Sequence, residues 1–191
     1  MTALPKPGQL LTIADYAALP EDEQYRWELQ EGNLTMAPSP TPPYNHAAFE
    51  LAVQFRTQLP PDLMVVPDVD LDLTLAPADE PGSARRPDLV VVTRTAFDRV
   101  RDGGGLLLAT DARLVVELVS PGSRRTDRVV KHGEYADAGI PHYWIVDLEG
   151  RPSLVACQLA EGFGYQDAPA VTGRFSADEP FPVTVDLDAL G

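Results

Sequence analysis

The chain has 191 residues, 44% apolar and 23% charged, a length and balance that suit one globular domain with a sizeable core and exclude general disorder. Its net charge of −14 argues at first against any polyanionic partner, an objection that the distribution of charge described below softens, and its one cysteine, Cys157, rules out an internal disulfide framework. No run reaches the ~18 apolar residues of a membrane span and the first residues lack a signal peptide's apolar stretch, so a cytoplasmic protein without a membrane partner is expected.

Thr12 is a candidate N-cap for a short helix over 12–19, stopped by Pro20. Residues 25–37 read as a hairpin: Tyr25 to Leu29, a turn at Gln30 to Asn33, then Leu34 to Ala37. The proline-rich run Pro38 to Pro43 blocks continuation. Beyond it, Ala47, Ala48, Leu51, Ala52 and Phe55 at helical spacing predict an amphipathic helix over 44–58. Val69, Leu71, Leu73 and Leu75 alternate with Asp70, Asp72 and Thr74, which predicts strands over 63–75.

A loop over 76–86 leads to an apolar strand, 88–92. Residues 93–112 read as a helical piece and a mobile loop around Gly103-Gly104-Gly105, which lacks the lysine and spacing of a phosphate-binding loop. Then come a strand over 113–119, a helix over 124–138 closed by Gly139 and Pro141, and a strand over 142–147. A hairpin over 153–158 and 163–167 follows, and the tail 174–190 has Val183, Val185 and Leu187 in alternation. The order predicts an α/β (mixed α+β) single domain, 1–191: a central mixed sheet flanked by helices, with extra hairpins, a core over about 12–170 and an N-terminal extension, 1–11. No internal repeat or long linker is present.

Asp88 and Glu117 each touch a β-branched apolar segment, Leu89 to Val92 and Leu114 to Val116, where a buried charge is costly unless it is paired or binds a cation. If those strands are neighbours, the two carboxylates and the Leu118 carbonyl could hold Mg²⁺ or Mn²⁺, which takes only one or two protein carboxylates and lowers the pKa of an attacking water. The plainer reading is a pair of solvated strand-end acids. Asp127, Lys131 and Tyr135 fall at i, i+4 and i+8 and so share a helix face. They read either as an exposed ion pair beside a tyrosine or as a group aimed at the metal-bound water.

Charge is unevenly spread: from Arg85 to Lys131 there are ten Lys and Arg against six Asp and Glu, and the rest of the chain holds five against twenty-three. Arg124, Arg125 and Arg128 crowd a first helical turn, where the helix dipole disfavours cations, and this raises the case for an anionic partner. Cys157 lies in an apolar stretch and reads as a core thiol. His132 and His142 have no partner spacing that suggests zinc. Ser120 is not in a nucleophile elbow and reads as a backbone-bonding residue at a strand end.

Trp27-Glu28-Leu29 with Gly32, Pro38-Ser39-Pro40 followed by His46, Arg86-Pro87-Asp88, Glu117-Leu118-Val119-Ser120-Pro121, Asp127 with Lys131 and Tyr135, and Ala138-Gly139-Ile140-Pro141 with Tyr143 to Asp147 together resemble the Uma-two-type restriction endonuclease group. That group lies within the PD-(D/E)XK nuclease superfamily, and the resemblance runs from about 12 to 190. It implies a restriction-endonuclease-like fold, a metal-dependent endonuclease activity, and nucleic acid as partner, DNA ahead of RNA. Asp88 and Glu117 would be the motif acids and metal ligands, with Glu28 completing the site.

The lysine expected two positions after the acid is replaced by Val119, and Lys131 would substitute for it. His46 would contact phosphate or move a proton, Arg86 would join the arginines on nucleic acid, and Asp127, Tyr135 and Ser120 would support the site. A homodimer is compatible with the resemblance. Val119 and the overall acidity keep open an alternative, a non-catalytic module of this fold that binds nucleic acid or a protein.

Overall fold

The computed structural model describes residues 8–20, 25–37 and 40–191; Pro38 and Ser39 of the proline-rich motif and residues 1–7 of the expected extension lie outside the described residues. Helix α1 (Ile13–Ala17) is set by a capping box, in which the Thr12 hydroxyl accepts from the Asp15 backbone and the Asp15 carboxylate accepts from that of Thr12. Strands β1 (Arg26–Gln30) and β2 (Asn33–Ala37) form the expected hairpin. Its turn narrows to Glu31-Gly32, both at positive φ, as two-residue hairpin turns demand. Gly32 is doubly required, since a Cβ there would come within 2.6 Å of Pro81.

Helix α2 (Pro42–Arg56) starts two residues before the expected point, because proline fits the first helical turn where no N–H is needed. Strand β3 (Leu63–Pro67) is regular, but the alternation that follows it does not form one long strand. Asp68 and Thr74 adopt positive φ, and the Asp72 carboxylate accepts from the Thr74 backbone, which leaves only β4 (Leu71–Asp72) extended and turns Leu75 outward. Local side-chain capture of the backbone has overridden the period-two pattern.

The expected loop over 76–86 holds a short strand, β5 (Ala84–Arg85), ahead of β6 (Leu89–Thr93), α3 (Arg94–Gly103) and β7 (Leu107–Leu108). Strand β8 (Ala112–Val119) follows. The expected helix over 124–138 begins instead as a π-helical stretch, Thr126–Lys131, and becomes α-helical only in α4 (His132–Asp137). Strands β9 (His142–Asp147), β10 (Ser153–Ala160), β11 (Gly164–Asp167), β12 (Val171–Thr172), β13 (Arg174–Ala177) and β14 (Val183–Asp186) complete the chain.

Among the described residues the largest sheet has the order β11-β10-β9-β8-β6-β3, with β12 beside β10. Its strands pair antiparallel except β8 with β9, which are parallel and joined through the π-helical stretch and α4. A second sheet, β2-β1-β5-β4-β7, carries the hairpin, and β13-β14 pair separately. Alternation divides the central strands between two cores. Leu89, Val91, Leu114, Val116, Trp144 and Val146 face α2 and the β14 side chains Val183 and Val185. Val90, Val92, Val115, Tyr143 and Ile145 face Tyr135, Leu71 and Leu107. Each such fully buried aliphatic side chain contributes roughly 1.5–3 kcal/mol. Among the described residues no helix is long and apolar enough to cross a membrane.

Candidate active site

Glu117 is the polar break in the second apolar face: its neighbours on that face of β8, Val115 and Val119, are sealed in the core, and Glu117 itself is buried. Such a carboxylate needs partners, and both come from the chain that follows β8. The Lys131 Nζ lies 2.8 Å from Glu117 Oε1, and the Tyr135 hydroxyl donates to the same oxygen at 2.8 Å. Lys131 also lies 3.0 Å from Glu28 Oε1 on β1 and 3.8 Å from Asp127 Oδ1. Asp127 and Lys131 are 2% and 6% exposed, which removes the surface ion-pair reading of this helix face.

Asp88 stands just before β6, and its Oδ2 accepts the backbone N–H of Leu118 on β8 at 2.7 Å. That bond ties the two motif acids to adjacent central strands. Glu28 Oε1 further accepts the Arg86 backbone N–H at 3.1 Å, while its Oε2 meets Arg85 Nη1 at 3.0 Å. The Arg85 guanidinium, itself buried, forks onto Glu134 with two bonds of 2.6 Å. Glu28, Asp88, Glu117, Leu118, Asp127 and Lys131 thus line one cavity of about 310 Å³, which Tyr44, Arg86 and Ser120 also border.

Carboxylates outnumber cations here, and the titration behaviour follows. Burial pushes the Glu117 carboxyl up to about 8, with Asp88, Asp127 and Glu28 adding to the rise and Lys131 opposing it. Asp88 and Asp127 are also raised, chiefly by burial. Glu28 goes the other way: burial would raise it, but Lys131, Arg85 and the Arg86 N–H outweigh that and hold it below the usual carboxylate range. Lys131 is held charged, since Glu117 and Glu28 outweigh its desolvation. The donor set is all oxygen and anionic, which suits a hard divalent cation with several water ligands rather than a thiolate-seeking one.

The structure leaves other expected residues apart from this cavity. His46 is exposed on α2 and does not line it. Arg124 and Arg128 both pair with Asp147, at 3.1 and 3.0 Å, and Arg124 also with Glu149. Arg125 is exposed and, among the described residues, has no acid within ion-pair distance. Arg86 does border the cavity, where its Nε lies 2.7 Å from Asp68, which also pairs with Arg26. The Ser120 hydroxyl accepts the Ser123 backbone N–H, as expected of a strand-end serine.

Two residues of the site carried no role in the sequence reading, Arg85 and Glu134. The double arginine before Pro87 and the i+3 spacing of Glu134 from Lys131 were signals for both, but neither tells a buried fork from a solvated pair. Trp144 and Tyr143 are core residues, and the Tyr143 hydroxyl donates to the Asp127 carbonyl.

A family model described as "Uma2: Putative restriction endonuclease" matches residues 13–189. Among curated proteins none matches the chain. Among solved structures, the chain is similar to that of a "putative nuclease belonging to DUF820" from Anabaena variabilis, with a TM-score of 0.70, 15% identity, and coverage of 94% of this chain and 97% of that one. At that identity the likeness establishes the fold.

Proposed function

Because the chain belongs to the Uma2 family of restriction-endonuclease-like proteins, we propose that it is a divalent-metal-dependent endonuclease that cleaves phosphodiester bonds of nucleic acid, DNA ahead of RNA. The observation that supports this most is the meeting of Asp88, Glu117 and Lys131, from three separate stretches of chain, at one cavity wall. Asp88, Glu117 and the Leu118 carbonyl would hold Mg²⁺ or Mn²⁺. When bound, that cation supplies Lewis-acid stabilisation of the phosphate and a water of lowered pKa.

The chain's own residues do the rest. Lys131, held charged, donates toward the nucleophilic water or a non-bridging phosphate oxygen and offsets the crowding of Glu28 and Asp127. Tyr135 and the Leu118 N–H fix one oxygen each of Glu117 and Asp88, which leaves the other oxygen of each free for the ion. Arg86, which borders the cavity, would meet a substrate phosphate there. Val119 being sealed in the core does not leave the site without a lysine, because Lys131 reaches Glu117 directly. This favours catalysis over a non-catalytic binding module.

The test is cleavage of labelled single- and double-stranded DNA and RNA with Mg²⁺ or Mn²⁺, beside folded Asp88→Ala and Glu117→Ala variants. Cleavage by the parent alone, dependent on the added cation, is the expected result. Nucleic-acid binding without cleavage in any of the four substrates would overturn the enzymatic reading in favour of the binding module.

A further inference from the structure

Away from the carboxylate cavity, three side chains of different chemistry meet where α4 packs on the β10–β11 hairpin. Cys157 on β10 and Asp167 on β11 are direct cross-strand partners. His132, the first residue of α4, places Nε2 2.9 Å from Asp167 Oδ1. One ligand atom from each residue, imidazole nitrogen, thiol sulfur and carboxylate oxygen, lies within 4.8 Å of the other two. The imidazole is held edge-on by the rings of Tyr165 and Tyr143, at 5.2 and 6.2 Å. Cys157 itself is buried, but a cavity of about 740 Å³ reaches both it and Asp167.

We propose that His132, Cys157 and Asp167 form a second metal site, selective for a borderline-soft ion such as Zn²⁺ and separate from the all-oxygen site at Asp88 and Glu117. Zinc takes nitrogen, sulfur and carboxylate ligands with bonds of about 2.0–2.3 Å, which in a tetrahedron sets ligand atoms roughly 3.3–3.7 Å apart. The His132 to Asp167 contact of 2.9 Å would open slightly to reach that range, and with every pair of ligand atoms already within 4.8 Å the thiol would need to move by about an ångström or less. Sulfur excludes Mg²⁺ as the preferred occupant, because hard cations select oxygen.

The three ligands leave the fourth position to a water from the cavity. Burial and the neighbouring Asp167 keep the Cys157 thiol protonated in the absence of an ion. Binding forms the metal–sulfur bond as that proton leaves to solvent, with no change of oxidation state. The consequence is mechanical: the ion ties the start of α4 to the edge of the main sheet, and His132 immediately follows Lys131. It would therefore fix the end of the π-helical stretch that delivers Lys131 to Glu117.

Co²⁺ titration of the reduced protein tests this without reference to activity. The expected result is a sulfur-to-cobalt charge-transfer band saturating at one ion per chain, displaced by Zn²⁺ and unchanged in Asp88→Ala and Glu117→Ala. Cys157→Ser should remove the band, and both it and His132→Gln should weaken Zn²⁺ binding at least ~100-fold, more than loss of an outer-shell partner costs. Zn²⁺ should raise the melting temperature of the parent but not of His132→Gln, a half-buried position where folding is little at risk. No charge-transfer band in the parent, or Zn²⁺ affinity equal in the parent and His132→Gln, overturns the proposal.

Discussion

Lys131 Nζ lies 2.8 Å from Glu117 Oε1 although the two stand fourteen positions apart along the chain. A lysine two positions beyond Glu117 would emerge on the same strand face; here that position is Val119, packed among apolar side chains. The charge reaches the same carboxylate from the π-helical stretch instead.

Lys131→Met is accordingly expected to lower cleavage by roughly 10²–10³-fold, the usual worth of one preorganised donor to developing negative charge. It should also destabilise the fold by about 3–5 kcal/mol, since Glu117 and Glu28 lose a buried partner. Adding Val119→Lys to that variant should restore part of the activity. A folded double variant without recovery, judged by single-turnover assay and circular dichroism, would show that charge near Glu117 is insufficient.

Tyr135→Phe removes one hydroxyl that donates to Glu117 and leaves the ring packing intact. A loss of about 1–2 kcal/mol is expected from the missing buried hydrogen bond. At roughly 2–4 °C per kcal/mol for a chain of this length, thermal melting should resolve it readily. An unchanged melting temperature would mean that water replaces the hydroxyl.

Arg85 serves Glu134 through a two-pronged fork and Glu28 through a third nitrogen. Lysine cannot reproduce three directed bonds. Arg85→Lys should therefore melt well below the parent and lose activity with it, while Arg85→Met, which strands two acids, should lose about 3–5 kcal/mol. Equal stability of Arg85→Lys and the parent in urea would reject the fork as the relevant contact.

The pH dependence has a definite sign. Glu117 in the folded chain sits at about 8, above its ordinary 4.5, so the folded state binds this proton more tightly than the unfolded one. The associated stability is complete below about 4.5 and is lost as pH rises through about 8. Asp88 and Asp127, also raised, act in the same direction. In a chelator the melting temperature should fall from about pH 5 to 8, and excess Mg²⁺ should flatten that fall by binding the deprotonated acids. Identical curves with and without Mg²⁺ would argue against a cation at Glu117.

Much of the architecture was legible because it rests on local signals. Thr12 capping, the Gly32 turn, the apolar strands on either side of Glu117 and the alternation at Val183, Val185 and Leu187 are all written in adjacent residues. The 63–75 segment misled, because alternation cannot reveal that Asp72 captures the Thr74 backbone. The Asp127 to Tyr135 face was visible as a stripe, but its burial and its π-helical start depend on what packs there. Arg85 and Glu134 were obscure for the same reason, as was His132, whose partners come from two later strands. Long-range convergence leaves no trace in spacing.

The division of β8 between two cores has a bearing on how the chain finds its structure. Leu114, Val116 and Leu118 face α2, and Val115, Glu117 and Val119 face the opposite way. Were β8 to pair with β6 one residue out of step, every side chain would change sides. Glu117 would then enter the aromatic cluster of Phe55, Trp144 and Phe181, with neither Lys131 nor Tyr135 in reach. The acid proposed to bind the cation thus also penalises the misaligned sheet, in which it would be a buried carboxylate without a partner.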